Sequence, residues 1–233
     1  MNRLIPGTIA LVVICLGACT GSLFQSKAVP PAVYMLSAGI QPAGSAAPAP
    51  GSPAASAARL SAPIDSGPTS TMPFDLAVLK PKLRTGLESD RIAVLYPDHR
   101  LDYFADARWS GPLGEVLQDL VLQEFHSRAN LRTVSSDASV FSSAYWLEIE
   151  VTDFQAEYTS AGAAPTVRVH FLMRIGGSGD RRVLGQFDAS AVQPATDNRL
   201  TAIVEAYAHA ADAALTQIVA HVEETLAKVS EAR

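Results

Sequence analysis

The sequence predicts an α+β fold, a two-layer sandwich in which a mostly antiparallel sheet carries two helices packed on one face. Three observations predict it. First, apolar side chains recur at every second position, most cleanly at Val167, Val169, Phe171, Met173 and Ile175, opposed by Arg168, His170 and Arg174. That alternation marks strands with one buried and one wetted face. Second, the apolar period lengthens to the helical one in two places, after Pro112 and after Asn198. Third, 48% of the 233 residues are hydrophobic and 18% charged, enough to bury one core, whereas 15 Pro and 15 Gly have to sit outside regular elements.

Taken in chain order, Ala32 to Leu36 is β-branched and aromatic and reads as the first strand of the domain, within 31–38. Phe74 to Leu79 and Arg91 to Tyr96 read as short strands. Pro97-Asp98 turns the chain, and His99 to Ala105 alternates again, so residues 91–105 form a hairpin. Ser110-Gly111-Pro112 offers a cap and a first-turn proline to a helix of about 16 residues bearing Leu113, Val116, Leu117, Leu120, Val121 and Phe125 at helical spacing.

Beyond that helix, Tyr145, Leu147, Ile149 and Val151 give way to Phe154, Ala156 and Tyr158, a change of parity that calls for a bulge near Thr152-Asp153. Gly176 to Asp180 is a hairpin turn leading to Val183, Phe187, Ala189 and Ala191. Leu200, Ile203, Val204, Tyr207, Ala211, Leu215, Ile218, Val222 and Leu226 form a C-terminal helix of about 30 residues, or ~45 Å.

Two features of these elements point to partners. Trp109, at the junction into the first helix, reads as a core residue fixing the helix entry, with an exposed aromatic docking a partner as the alternative. The apolar stripe of the last helix continues through Val222, Leu226 and Val229, beyond the roughly 20 Å that six-residue strands span. Trp109, the Val222 region, Leu226 and Val229 are therefore the candidate partner-interface residues, a second copy of the chain being one such partner.

The N-terminus predicts export. Met1-Asn2-Arg3 is a short positive region, Leu4 to Leu16 an apolar run and Gly17-Ala18 a small-residue site, which together make residues 1–18 a signal peptide. From Leu4 to Ala18 a helix would be about 22 Å long, short of the ~30 Å of a bilayer core, and Pro6 interrupts it. Leu16-Gly17-Ala18-Cys19 resembles the lipobox of bacterial lipoproteins, which implies acylation of Cys19 and cleavage just before it. Only Cys15 and Cys19 are present, so the mature chain has no intramolecular disulfide. Residues 19–30 are then an acylated cysteine and a short tether. Residues 39–73 hold seven Pro, nine Ala, four Gly and six Ser, a composition that cannot bury a core and reads as a disordered insertion or linker. Residues 74–233 carry the α+β domain.

Catalytic and cofactor chemistry finds little support. Lys plus Arg number 18 against 23 Asp plus Glu, a net charge of -5 that disfavours nucleic acid. His209 and His221 lie twelve residues apart on one helix, about 18 Å, too far to share a metal. His126 and His170 read as surface residues. Gly176-Gly177-Ser178-Gly179 lacks the lysine and the strand-to-helix context of a phosphate loop. No catalytic residue, metal ligand or cofactor is predicted, and the protein is not expected to be an enzyme.

Several blocks together resemble a known family. They are Cys19, Tyr34-Met35-Leu36, Arg91-Ile92-Ala93-Val94, the run Leu101-Asp102-Tyr103-Phe104-Ala105-Asp106-Ala107-Arg108-Trp109-Ser110-Gly111-Pro112-Leu113, and Leu147 to Phe154. They look like the ABC-type transport auxiliary lipoprotein family, of the PqiC-like type. The resemblance implies an outer-membrane-anchored protein on the periplasmic face, assisting an MCE-domain protein and its ABC transporter in moving phospholipid between two membranes. Thr20 after the cysteine resembles the default that proceeds to the outer membrane. The family supplies no catalytic residues to carry over. A structural lipoprotein of another envelope machine is the alternative, and a periplasmic hydrolase a more distant one.

Overall fold

The computed structural model describes residues 30–37, 71–137, 139, 142–160 and 162–231. The signal peptide 1–18, Cys19 and nearly all of the 39–73 stretch lie outside them. Contacts divide the chain after Pro31, and the strands and helices of the described residues all lie in the unit from Ala32 onward.

A long strand, β7 (Tyr145–Glu157), organises the sheet. Along one edge it pairs antiparallel with β8 (Thr166–Gly177), which pairs antiparallel with β9 (Val183–Pro194). Its other edge is shared by three short parallel segments in succession, β2 (Met72–Val78), β3 (Lys82–Leu83) and β4 (Arg91–Leu95). Outside these, β6 (Leu131–Ser136) runs parallel to β2, β5 (Leu101–Trp109) antiparallel to β4, and β1 (Ala32–Tyr34) parallel to β5. The nine-stranded sheet is therefore mixed, which corrects the expectation of a mostly antiparallel one. Alternation fixes which face a side chain takes and is silent on strand direction, and the chain returns to β7 three times by connections that make the pairing parallel.

The Thr152-Asp153 bulge is present. Pairing with β8 shifts register between Val151 and Asp153, so Leu147, Ile149 and Val151 before it and Phe154 and Ala156 after it all point into the core. The extra residue, Thr152, places its Oγ1 2.9 Å from His170 Nδ1. At the β8–β9 turn Gly176 is required by close approach, since a Cβ there would lie 2.3 Å from the Trp146 ring and 2.7 Å from the Arg182 carbonyl oxygen. The Trp146 indole N–H donates to the Gly177 carbonyl at 3.2 Å.

The helices are α1 (Leu113–Arg128, 16 residues) and α2 (Leu200–Glu231, 32 residues). Pro112 occupies the N-cap position of α1 and no side chain caps it, so Ser110 does not play the capping part expected of it. The Leu113 N–H is met instead by the Ser89 carbonyl at 3.1 Å. Both helices bury their apolar stripes in one core with the inward residues of β2, β4, β7 and β8.

Candidate functional site

The interface candidates are placed by this packing. Trp109, 1% exposed, closes the end of β5 inside a three-ring cluster, edge-on to Phe154 at 6.0 Å and to Tyr207 at 5.2 Å between centroids. Tyr207 rises from α2 and donates its hydroxyl to the Ala93 carbonyl at 2.7 Å. Burial pushes that phenol well above its ordinary pKa. Trp109 is thus core and not a docking residue, because the strand-to-helix junction turns it under α2. Val222 and Leu226 are fully buried too, which corrects the reading of an unpartnered tail. The reason is strand length: β8 and β9 have 12 residues each, roughly 40 Å at the usual rise, and so reach almost as far as α2. Of the four candidates, Val229 alone keeps accessible surface.

Val229 lines a cleft of about 630 Å³ at the end of the core, with Pro73, Phe74, Tyr145, Arg182 and Leu184. Phe74 and Tyr145 meet edge to face at 5.3 Å. The Tyr145 hydroxyl is buried there and makes no hydrogen bond.

The sheet face turned away from the helices is ionic. Glu148 on β7 is bridged to Lys82 on β3 and, at 3.2 Å, to Arg174 on β8. The Lys82 hydrogen bond holds the Glu148 carboxyl below its ordinary range, against a smaller opposing effect of burial. Farther along, Asp153 lies 3.6 Å from Arg84 and 3.6 Å from His170 Nδ1, whose Nε2 is 3.7 Å from Asp188. Arg168 contacts Glu157 at 2.9 Å. The first network joins β3, β7 and β8, the second joins β7, β8 and β9 with Arg84 just beyond β3, and Arg168–Glu157 joins β8 to β7, so their chemistry is cross-strand attachment. His170, read as a surface residue, sits between two carboxylates that only register brings to it. Among the described residues no group of three or more His, Cys, Asp or Glu is placed to hold a metal ion. No helix of the described residues is long and apolar enough to cross a membrane.

At the opposite pole Tyr96 and Tyr158 stack at 5.6 Å and 12°, with the Arg100 guanidinium 4.5 Å over Tyr96. This aromatic pair, at the ends of β4 and β7, was not apparent from either residue's local sequence.

One buried charge joins the helices. Glu124 on α1 is 1% exposed, with Arg128 Nε 2.5 Å from Oε1 but outside hydrogen-bond direction. Arg128 also bridges to Asp212 on α2 at 2.7 Å and donates to Thr216 at 2.7 Å. Burial pushes the Glu124 carboxyl up, Arg128 opposes this, and the Asp212 charge adds to it. An acid whose pKa is higher folded than unfolded contributes stability below its unfolded pKa, and that stability is lost as pH rises through the folded value. Glu124→Gln should therefore flatten the decline in melting temperature between acidic and neutral pH. Melts of both proteins across that range check it, and a wild-type decline left unchanged in the variant would assign the pH dependence to other groups.

Comparisons with known proteins fit this architecture. The family model for the ABC-type transport auxiliary lipoprotein component matches residues 56–219. Protein XCC0632 from Xanthomonas campestris, of the family model DUF330, superposes with a TM-score of 0.64 at 23% identity, covering 69% of this chain and 90% of that one. A crystal structure of an uncharacterized protein gives a TM-score of 0.54 at 15% identity, covering 64% and 92%. Both likenesses are of fold. No curated protein matches the sequence. With its matched region spanning more than half of the 233 residues, the chain belongs to the ABC-type transport auxiliary lipoprotein family.

Proposed function

We propose that this protein is anchored through Cys19 to the periplasmic face of the outer membrane, where it is an auxiliary subunit of an MCE-type ABC phospholipid transport system. The observation that carries the reading is the pairing of a lipobox-like Leu16-Gly17-Ala18-Cys19 with a domain of the auxiliary lipoprotein family. The domain's half-buried surface features, a cross-strand ionic face and a stacked tyrosine pair, suit docking and assembly in a non-enzymatic role. Anchoring and folding reside in different parts of the chain. Acyl chains contribute ~0.8 kcal/mol per buried methylene, and several chains are needed for stable attachment.

Cys19→Ala should accordingly release a folded domain from the membrane fraction, with its melting temperature unchanged. Retention of the processed variant in membranes would mean that another anchor exists. Deletion of the gene should weaken detergent resistance and disturb outer-membrane lipid asymmetry. A deletion strain with both properties intact would count against the transport role while leaving the lipid anchor standing.

A further inference from the structure

Among the described residues β9 has one neighbour in the sheet, β8, so alternate residues along its other edge turn their N–H and C=O groups outward. At Ser190 one side chain takes both groups. The Ser190 N–H donates to Gln217 Oε1 at 3.3 Å, and Gln217 Nε2 donates to the Ser190 carbonyl at 3.0 Å. A carboxamide carries the same donor and acceptor as a peptide unit, so Gln217 makes the two bonds that a residue of an adjacent strand would make.

Gln217 is held for this. Its Nε2 also donates to the Ala213 carbonyl of its own helix at 3.2 Å. The next residues at helical spacing follow β9 in reverse order: His221 packs on Phe187 at 4.8 Å, and Thr225 lies 3.3 Å from where a Cβ on Gly185 would be. Of these three, only Gln217 is bonded to the strand's backbone. The two-residue period places Gln186, Asp188 and Val192 in the same outward register as Ser190, and the strand ends on Pro194, which has no N–H. On β6, whose single neighbour among the described residues is β2, His126 Nε2 similarly sits 3.1 Å from the Val134 carbonyl oxygen. A 12-residue edge strand with outward backbone groups at alternate positions is a template for an added strand, and every copy of the chain presents the same one.

We propose that Gln217 holds the β9 edge closed against strand addition by the β9 of a second copy of this chain. The proposal is independent of the transport reading, since it concerns an edge and not the transported cargo.

The test uses the full chain, with the mass of the wild type in solution as reference. Gln217→Ala should shift to higher mass as concentration rises, and the Ser190 amide should exchange about tenfold faster, the factor expected for losing one ordinary hydrogen bond. Gln217→Glu, which keeps the acceptor and loses the donor, should show the same shift more weakly. Adding Asp188→Pro to Gln217→Ala removes an outward donor and should restore the wild-type mass. If Gln217→Ala keeps the wild-type mass at all concentrations, or if the proline leaves the larger species in place, the proposal is wrong. Should Gln217→Ala fail to fold, the mass and exchange of Gln217→Glu decide the matter by the same criteria.

Discussion

Trp109→Ala is expected to lower the free energy of unfolding by about 3–5 kcal/mol, the range for truncating a large buried aromatic. The indole fills the junction of β5, β7 and α2, and its removal leaves Phe154 and Tyr207, themselves 5.2 Å apart, facing a cavity. The backbone N–H of residue 109, bonded to the Asp90 carbonyl at 2.7 Å, is kept in the variant, so the loss is that of the packed ring alone. Against a typical domain stability of about 5–15 kcal/mol, such a loss brings the protein near its folding threshold. Denaturant titration followed by circular dichroism measures it, and Trp146, the second of two tryptophans, stays as a fluorescence reporter. A midpoint equal to wild type combined with weaker partner binding would return Trp109 to the role of an interface residue.

Removing residues 222–233 should be still more damaging. The deletion strips Val222 and Leu226, both fully buried, from the far ends of β8 and β9, along with Val229 at the cleft. Truncating one buried leucine costs about 2–5 kcal/mol, and here two large aliphatic side chains and three turns of helix leave together. The shortened chain is expected to lose its cooperative melt and become protease-sensitive. A cooperative transition within a few degrees of wild type would show that the last turns of α2 are dispensable to the core.

Local chemistry made some parts of this fold legible in the sequence. The Val151-to-Phe154 parity change located a bulge, Gly176 to Asp180 located a turn, and the 3.6-residue stripes located both helices. Partner identity was less legible. β3 has two residues, too few for any period, and β6 is Leu-Arg-Thr-Val-Ser-Ser with only Val134 buried, so neither announces itself. The tail of α2 looks unpartnered in the sequence because an average strand length falls well short of this chain's 12- and 13-residue strands. One further signal lies in the spacing itself: Leu117, Leu120, Val121, Glu124 and Phe125 share one helical stripe, which places a carboxylate inside the core. The ionic face and the Gln217–Ser190 clip depend on register and on the path of α2 along β9, and no spacing in the sequence encodes those.

The transport assignment is tested most directly by cross-linking in intact cells, followed by recovery of the lipoprotein and identification of what comes with it. An MCE-domain protein is expected in the cross-linked material from wild type, at levels that fall when Cys19→Ala frees the domain from the membrane. Recovery of components of a different envelope machine, with no MCE-domain protein among them, would contradict the assignment.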